Sequence, residues 1–316
     1  MGRVLVAHEL PNGGLDPLAG HDLIGPKSGD ESYTHHELCA LARDVDGIVS
    51  LLTDRIDAEV LEAGAAGGRL RIISNVAVGF DNVDVETAAR LGIVVCNTPG
   101  VLDETTADLA FLLILSASRL AHEAEDDLRQ GRWQGWGLLQ YLGRDVHGAT
   151  LGLVGFGRIG QAVARRAAGF GMRVLHYARH DSGHEGFVAD LDALLAEADI
   201  VSLHVPGGTA TDHLIDKRRL GLMKPTAVLV NTARGIVVDE AALADALHDG
   251  RMFAAGLDVY EREPEIHPRL LTAPRTVLLP HIGSASRDTR TRMATMATSA
   301  VATVLAGEVP PNVVPV

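Results

Sequence analysis

Lysine, cysteine and long apolar runs are all scarce in this chain of 316 residues, and each scarcity closes off a class of function. Two cysteines, Cys39 and Cys96, are too few for a disulfide framework; neither sits in a CxxC, and neither is read as standing beside a histidine at ligand spacing. A reducing, cytoplasmic setting fits that usage. The most apolar segment, LAFLLILSA at 109–117, falls well short of the ~20 residues that span a bilayer, so it reads as a buried helix and no membrane partner is expected. The opening residues, MGRVLVAHEL, lack a long apolar stretch behind a basic start, and no secretory signal is expected. Basic charge is short as well. Lys and Arg total 28 against 41 Asp and Glu, a net charge of -13, which excludes a nucleic-acid footprint; a small anionic ligand would have to be caught by local positive charge. Lysine occurs only at positions 27, 217 and 224, so arginine carries that charge almost alone. The histidines are scattered, and the i,i+4 pair His180 and His184 has no evident third ligand, so no metal is expected.

What remains is ordinary for a soluble enzyme: 47% hydrophobic and 22% charged residues, in a length that suggests two domains. Short β-branched runs (RVLVA, GIVSLL, LRIISN, GIVVCN) alternate with helix-like stretches, the rhythm of parallel strands with crossover helices. The turn signal NTPG at 97–100 follows, and Asp103 is a plausible N-cap for an apolar helix over 104–120. The stretch HEAEDDLRQGRWQGWGLLQYLGRD holds both tryptophans and fits neither a strand repeat nor a clean amphipathic helix; it is read as a projecting arm. A second βα series begins at ATLGLVGFG and recurs through MRVLHYA, DIVSLHV, AVLVNTA, FAAGLDV and TVLLP. The fold class expected is α/β, two Rossmann-like or flavodoxin-like domains with parallel sheets and a cleft between them. Residues 1–98 with 286–316 form one and residues 99–285 the other, the latter including a dimerisation arm near 121–148.

Gly155, Gly157 and Gly160, in GLVGFGRIG, make a GxGxxG triplet. Such triplets are weak evidence alone, but this one follows an apolar strand and opens a helix that a further strand completes as a βαβ unit. The first glycine permits the tight turn, the second close approach of the backbone to a pyrophosphate, and the third close helix–strand packing. The helix N-terminus then faces the anion. An NAD site usually carries Asp or Glu ~20 residues on, for the ribose 2′-hydroxyl. Here Ala178 and Arg179 stand there, which removes repulsion against a 2′-phosphate and offers a guanidinium to bind it. NADP(H) is favoured and NAD(H) possible; the other reading leaves Arg179 a solvated loop residue.

The motifs GFGRIG, NTARG, GLDVYEREP and LLPHIGSAS, in that order, together with SNVAVGFDNVD, resemble the D-isomer-specific 2-hydroxyacid dehydrogenases over nearly the whole chain. The GRWQGWGLLQ arm and the Ala-Arg strand end are most similar to the glyoxylate/hydroxypyruvate reductase branch and to the 2-ketogluconate reductases. The resemblance implies NAD(P)H-dependent reduction of a small 2-keto acid to the D-2-hydroxy acid, with Arg234, Glu263 and His281 catalytic. Trp133 and Trp136, costly to leave in water in a Gly-rich stretch, point separately to a homodimer built through that arm. Residue chemistry supports these roles. Arg234 follows the strand AVLVNTA, at the sheet edge where open α/β folds bind ligands, and its planar fork suits a carboxylate. His281, just past TVLLP, would protonate the ketone, and Glu263 would hold its imidazole in the charged form. Taken singly, each has a plainer reading: a cap partner, a satisfied loop histidine, a solvated loop acid. The resemblance further implies that Val78 and Gly79 receive the substrate carboxylate through backbone N–H groups, with Ser284 beside the histidine. Thr106, Arg158, Ile159, Thr232, Ala233, Asp258 and Gly283 correspond to cofactor contacts, Asp258 to the acceptor for the nicotinamide carboxamide, although a strand-end turn acid is its alternative. Asp81, Asp84 and Asp108 are read as structural. The family also contains transcriptional co-repressors that keep the fold and triad, so a cofactor-sensing binding protein is the reading from another class.

Overall fold

The strands are buried on both faces, so they read as nearly unbroken apolar runs, the pattern of a parallel sheet sandwiched by helices. The computed structural model describes residues 1–27, 31–181 and 183–315. The chain divides into two units, residues 1–102 with 284–315 and residues 103–283, against the expected divisions at 98/99 and 285/286. Each holds one all-parallel sheet.

In the first unit, β1 (Arg3–Val6), β2 (Asp22–Ile24), β3 (Gly47–Ser50), β4 (Ile72–Asn75) and β5 (Val94–Cys96) lie in the order β2-β1-β3-β4-β5, a flavodoxin-like arrangement. Its core includes Leu5, Ile48, Ile56, Leu61 and Ile73, all fully buried; burying each such side chain contributes about 1.5–3 kcal/mol. Local capping agrees with the packing. Thr34 and Glu37 form a reciprocal capping box at the start of helix His35–Ala42, and Asp57 caps helix Ala58–Gly67 by accepting from Val60 N–H. The long helix Arg287–Leu305 returns to this unit, where Ala297 O accepts from Ser74 Oγ of β4 and Thr298 Oγ1 donates to Gly14 O.

The second unit contains β6 (Thr150–Val154), β7 (Arg173–Tyr177), β8 (Ile200–Leu203), β9 (Val228–Asn231), β10 (Ala254–Leu257) and β11 (Thr276–Leu278), ordered β11-β10-β9-β8-β6-β7. The order reverses between β6 and β8, which opens a crevice at the carboxyl ends of those two strands. The apolar helix expected over 104–120 runs Asp103–Ser118, with Asp103 inside its first turn rather than capping it. It packs Leu113 and Ile114 into the core, and Leu113 comes so close to β10 that only glycine fits at Gly256.

One expectation needs correction, and one strand lay outside the expectations. The stretch read as a projecting arm without a clean amphipathic helix begins with a helix, Ala121–Arg129, whose residues are all at least partly exposed. Its apolar positions are few and its acids many, which hid the period in the sequence. Strand β2 was not foreseen: three residues on a sheet edge, with two of them exposed, give almost no hydrophobic signal.

Candidate active site

The glycine triplet lies where the order of the second sheet reverses, and each glycine has a separate steric reason. Gly155 follows β6 with φ of +97°, and a Cβ there would come within 2.5 Å of the carbonyl oxygen of His204, the residue after β8. A Cβ on Gly160 would meet Gly155 O at 2.4 Å, so helix Arg158–Gly169 could not lie so close to its strand. At Gly157 the space is open, with nothing within 4 Å of the Cβ position. Gly157 is also the N-cap and offers no side-chain acceptor, so the first-turn N–H groups are left for a ligand. These residues fit a dinucleotide pyrophosphate. Arg158 is exposed, Ile159 half-buried, and Arg179, just past β7, is exposed and makes no ion pair among the described residues.

At the carboxyl end of β9 the chain turns sharply. Ala233 N–H donates to Asn231 Oδ1 at 3.0 Å, and Asn231 Nδ2 donates to Arg234 O at 2.9 Å. This clamp holds the Thr232–Arg234 backbone and projects the half-buried Arg234 side chain, whose Nη1 donates to Ala233 O. The next residue, Gly235, lies against the Tyr260 carbonyl, and a Cβ there would overlap it at 1.8 Å. Gly207, in the loop after β8, packs on the Arg234 stem, where a Cβ would stand 3.0 Å from Cγ.

His281 and Glu263 form the centre. Glu263 Oε2 lies 2.7 Å from His281 Nδ1, and Glu263 Oε1 accepts from Tyr260 N–H at 3.0 Å. Burial by itself would raise the Glu263 carboxyl. The hydrogen bond and charge of His281, the Tyr260 amide and the Arg234 charge outweigh it and hold the carboxyl below its ordinary value. An ionised Glu263 fixes the proton of His281 on Nδ1 in the neutral ring and leaves Nε2 for exchange with a substrate. His281 adopts a left-handed backbone, φ +54°, which costs a residue with a Cβ roughly 1–2 kcal/mol. Asp258 offsets that strain. It is 1% exposed; its Oδ1 accepts from Ile282 N–H at 2.7 Å and its Oδ2 from Gly283 N–H at 2.8 Å, while His281 N–H donates to Asp258 O. Burial pushes its carboxyl up to about 6 against these amides. Ionising Asp258 therefore lowers folding stability as pH rises from 3.8 to about 6, whereas the stabilising contribution of Glu263 is lost as pH falls through its depressed value. Thr106 Oγ1 donates to Gly283 O at 3.3 Å and steadies the same loop, and the Thr232 hydroxyl is buried without a partner among the described residues.

In the first unit, Val78 and Gly79 follow β4. Their carbonyls are taken by Asn97 Nδ2 at 2.7 Å and Asn75 Nδ2 at 3.0 Å, and their N–H groups have no acceptor among the described residues. Ser284 is half-buried and opens the returning segment of this unit, where its carbonyl accepts from Ser286 N–H.

Several supports escaped the sequence reading. Glu240 is buried and binds the Tyr260–His267 loop from beneath, its two oxygens accepting from Glu261 N–H and His267 N–H. Its place in a helix's first turn is common for any surface acid, so nothing local marked it. Tyr260 Oη reaches Leu279 O, and Asn75 and Asn82 brace the Val78 loop from within. Asp84 and Asp108 are structural: the first caps helix Val85–Arg90 and the second pairs with Arg166. One further correction concerns cysteine. Cys39 stands four residues after His35 on one helix, with Sγ 3.9 Å from His35 Nδ1, which is ligand spacing after all.

The fold and these groups define a nicotinamide-dependent oxidoreductase acting on 2-keto and 2-hydroxy acids. Residues 111–283 match the family described as "D-isomer specific 2-hydroxyacid dehydrogenase, NAD binding domain", and the chain belongs to that family. It is 48% identical over 320 residues to a glyoxylate reductase of Korarchaeum cryptofilum, covering 99% of this chain and 95% of the relative. Among solved structures, a protein of Thermus thermophilus matches with a TM-score of 0.93 at 44% identity, covering 99% of this chain and 100% of that one. The NADPH-dependent glyoxylate/hydroxypyruvate reductase of Sinorhizobium meliloti matches at TM-score 0.86 and 35% identity, covering 99% of this chain and 98% of that one. Among the described residues, no helix is long and apolar enough to cross a membrane.

Proposed function

We propose that this protein reduces glyoxylate, and hydroxypyruvate beside it, to the D-2-hydroxy acid, with NADPH preferred over NADH. The observation that carries the chemistry is the 2.7 Å His281–Glu263 pair on a loop pinned by Asp258. A reduced nicotinamide bound there would supply a hydride to C2 of the keto acid. His281 gives its proton to the ketone oxygen, and Glu263 stabilises the imidazolium beforehand. Arg234 holds the substrate carboxylate. In the first unit, the N–H groups of Val78 and Gly79, which have no acceptor among the described residues, are suited to bind an anion. Thr106, Thr232, Ala233, Asp258 and Gly283 border the nicotinamide end in this reading, and Gly155 to Gly160 cradle the pyrophosphate. The names of the relatives support glyoxylate as substrate. A panel of keto acids assayed with both cofactors tests it: glyoxylate should give sustained NADPH oxidation with the highest kcat/KM. Preference for 2-ketogluconate would move the protein to that branch, and cofactor binding without turnover would refute the reading.

Arg234→Lys keeps the charge but loses the fork. Weaker apparent substrate binding and turnover lowered by about tenfold are expected; near-normal steady-state kinetics would exclude bidentate recognition.

The homodimer of this proposal rests on a surface. Trp136 is 82% and Leu139 80% exposed, with Trp133, Leu138 and Leu142 also open. An apolar cluster of this kind marks an interface, and aromatic anchors are enriched there. Light scattering at micromolar protein should give twice the mass of one chain, and Trp136→Asp with Leu139→Asp should halve it. A wild-type monomer would remove the interface.

A further inference from the structure

We propose that the first unit holds a binding site for a zinc-like divalent cation, formed by His35 Nδ1, Cys39 Sγ and the Glu59 carboxylate. None of these residues belongs to the groups assigned to the reaction. Their ligand atoms all lie within 4.8 Å of one another, with His35 Nδ1 3.9 Å from Cys39 Sγ and 4.0 Å from Glu59 Oε2. Ligands of a tetrahedral zinc ion sit about 2.0–2.3 Å from the metal, and so about 3.5 Å from each other. Shifts of about half an ångström to a little over one, within reach of the exposed Glu59 side chain, close the site.

The second observation is the hydrogen bond on the far side of the imidazole. His35 Nε2 lies 3.0 and 3.1 Å from the two oxygens of Asp57, which is itself held by Arg55 Nε at 2.8 Å and by Val60 N–H. With Asp57 accepting at Nε2, the ring proton stands there and the Nδ1 lone pair is left to face Cys39 and Glu59. This is the carboxylate–histidine–metal arrangement that orients imidazole ligands.

The remaining electrostatics favour a cation. Cys39, Glu59 and Asp57 set a sulfur and two carboxylates around one imidazole, a donor set that a positive ion between them satisfies. One thiolate and one carboxylate balance a divalent charge, and sulfur with imidazole selects zinc over magnesium or calcium. His35 and Cys39 sit on helix His35–Ala42 and Glu59 on helix Ala58–Gly67, so the ion would clip two helices together, with a water as fourth ligand.

The full-length protein, stripped of metal and kept reduced, is titrated with Co²⁺ and separately with Zn²⁺. Wild type should show a near-ultraviolet thiolate-to-cobalt charge-transfer band with tetrahedral visible bands, and should bind one equivalent of Zn²⁺ with a rise in Tm. Cys39→Ser should abolish the charge-transfer band and the rise in Tm. Glu59→Gln, at an exposed position, should weaken Zn²⁺ by about tenfold or more, and Asp57→Asn by about 10–100-fold through the histidine. Circular dichroism establishes that each variant is folded. A wild type without the band overturns the site, as does a band that survives Cys39→Ser or a Zn²⁺ affinity equal in wild type, Cys39→Ser and Glu59→Gln.

Discussion

His281→Gln is expected to lower kcat for keto-acid reduction by about 10²–10⁴-fold while leaving the Kd for the cofactor nearly unchanged. Glutamine bears the same left-handed backbone cost, and the Asp258 bonds to the loop backbone do not involve the side chain, so the fold should persist with a similar Tm. What it lacks is a proton that can be released to an alkoxide and regained from solvent. Pre-steady-state turnover with saturating cofactor isolates that step. A variant that keeps most of the wild-type rate removes His281 from the chemistry. Glu263→Gln gives a second handle. It keeps an oxygen beside His281 Nδ1 but removes the anion that would pair with an imidazolium, so kcat should fall with little change in the Kd for the cofactor. An unchanged kcat, with chemistry limiting, would mean that Glu263 takes no part beyond holding the ring.

The parts of this site that could be read from the chain are those whose chemistry is local. Gly155, Gly157 and Gly160 lie in one strand–turn–helix, and their steric reasons follow from spacing; the structure supplies the facing atoms, His204 O and Gly155 O. Arg234 and His281 each follow a strand, so their place at the sheet's carboxyl edge was implicit in the alternation. The supports were not legible, because they act across long separations. Glu240 reaches residues 21 and 27 positions on, Tyr260 ties to Leu279, and Asp258 binds amides 24 and 25 residues away. Asp258 shows the limit most sharply. Its sequence context leaves a cofactor contact and a turn acid both open, and the geometry engages one lone pair on each oxygen with the loop that follows His281. The His35–Cys39 pair was local and was overlooked: i,i+4 spacing brings side chains together only once the segment is known to be helical.

Coenzyme selectivity should turn on two residues at the end of β7. Arg179 is exposed, is engaged in no ion pair among the described residues and follows the strand where a 2′-hydroxyl acceptor would stand, while Ala178 offers no carboxylate. A charge-assisted contact is worth ~1.5–3 kcal/mol, or about ten- to a hundred-and-fifty-fold in affinity. One such contact gives preference for NADPH without exclusion of NADH. Arg179→Ala should therefore raise the KM for NADPH by roughly that factor and hardly alter the KM for NADH. Ala178→Asp should act in the opposite way, placing a carboxylate where it repels the 2′-phosphate and accepts from a free 2′-hydroxyl, and so move selectivity toward NADH. The two effects have separate origins, lost attraction and added repulsion, and adjacent residues on one phosphate should couple rather than add. Steady-state kinetics with both coenzymes at saturating glyoxylate measure all four forms. A wild-type kcat/KM higher with NADH, or an Arg179→Ala variant that weakens both coenzymes equally, would show that this arginine does not bind a 2′-phosphate.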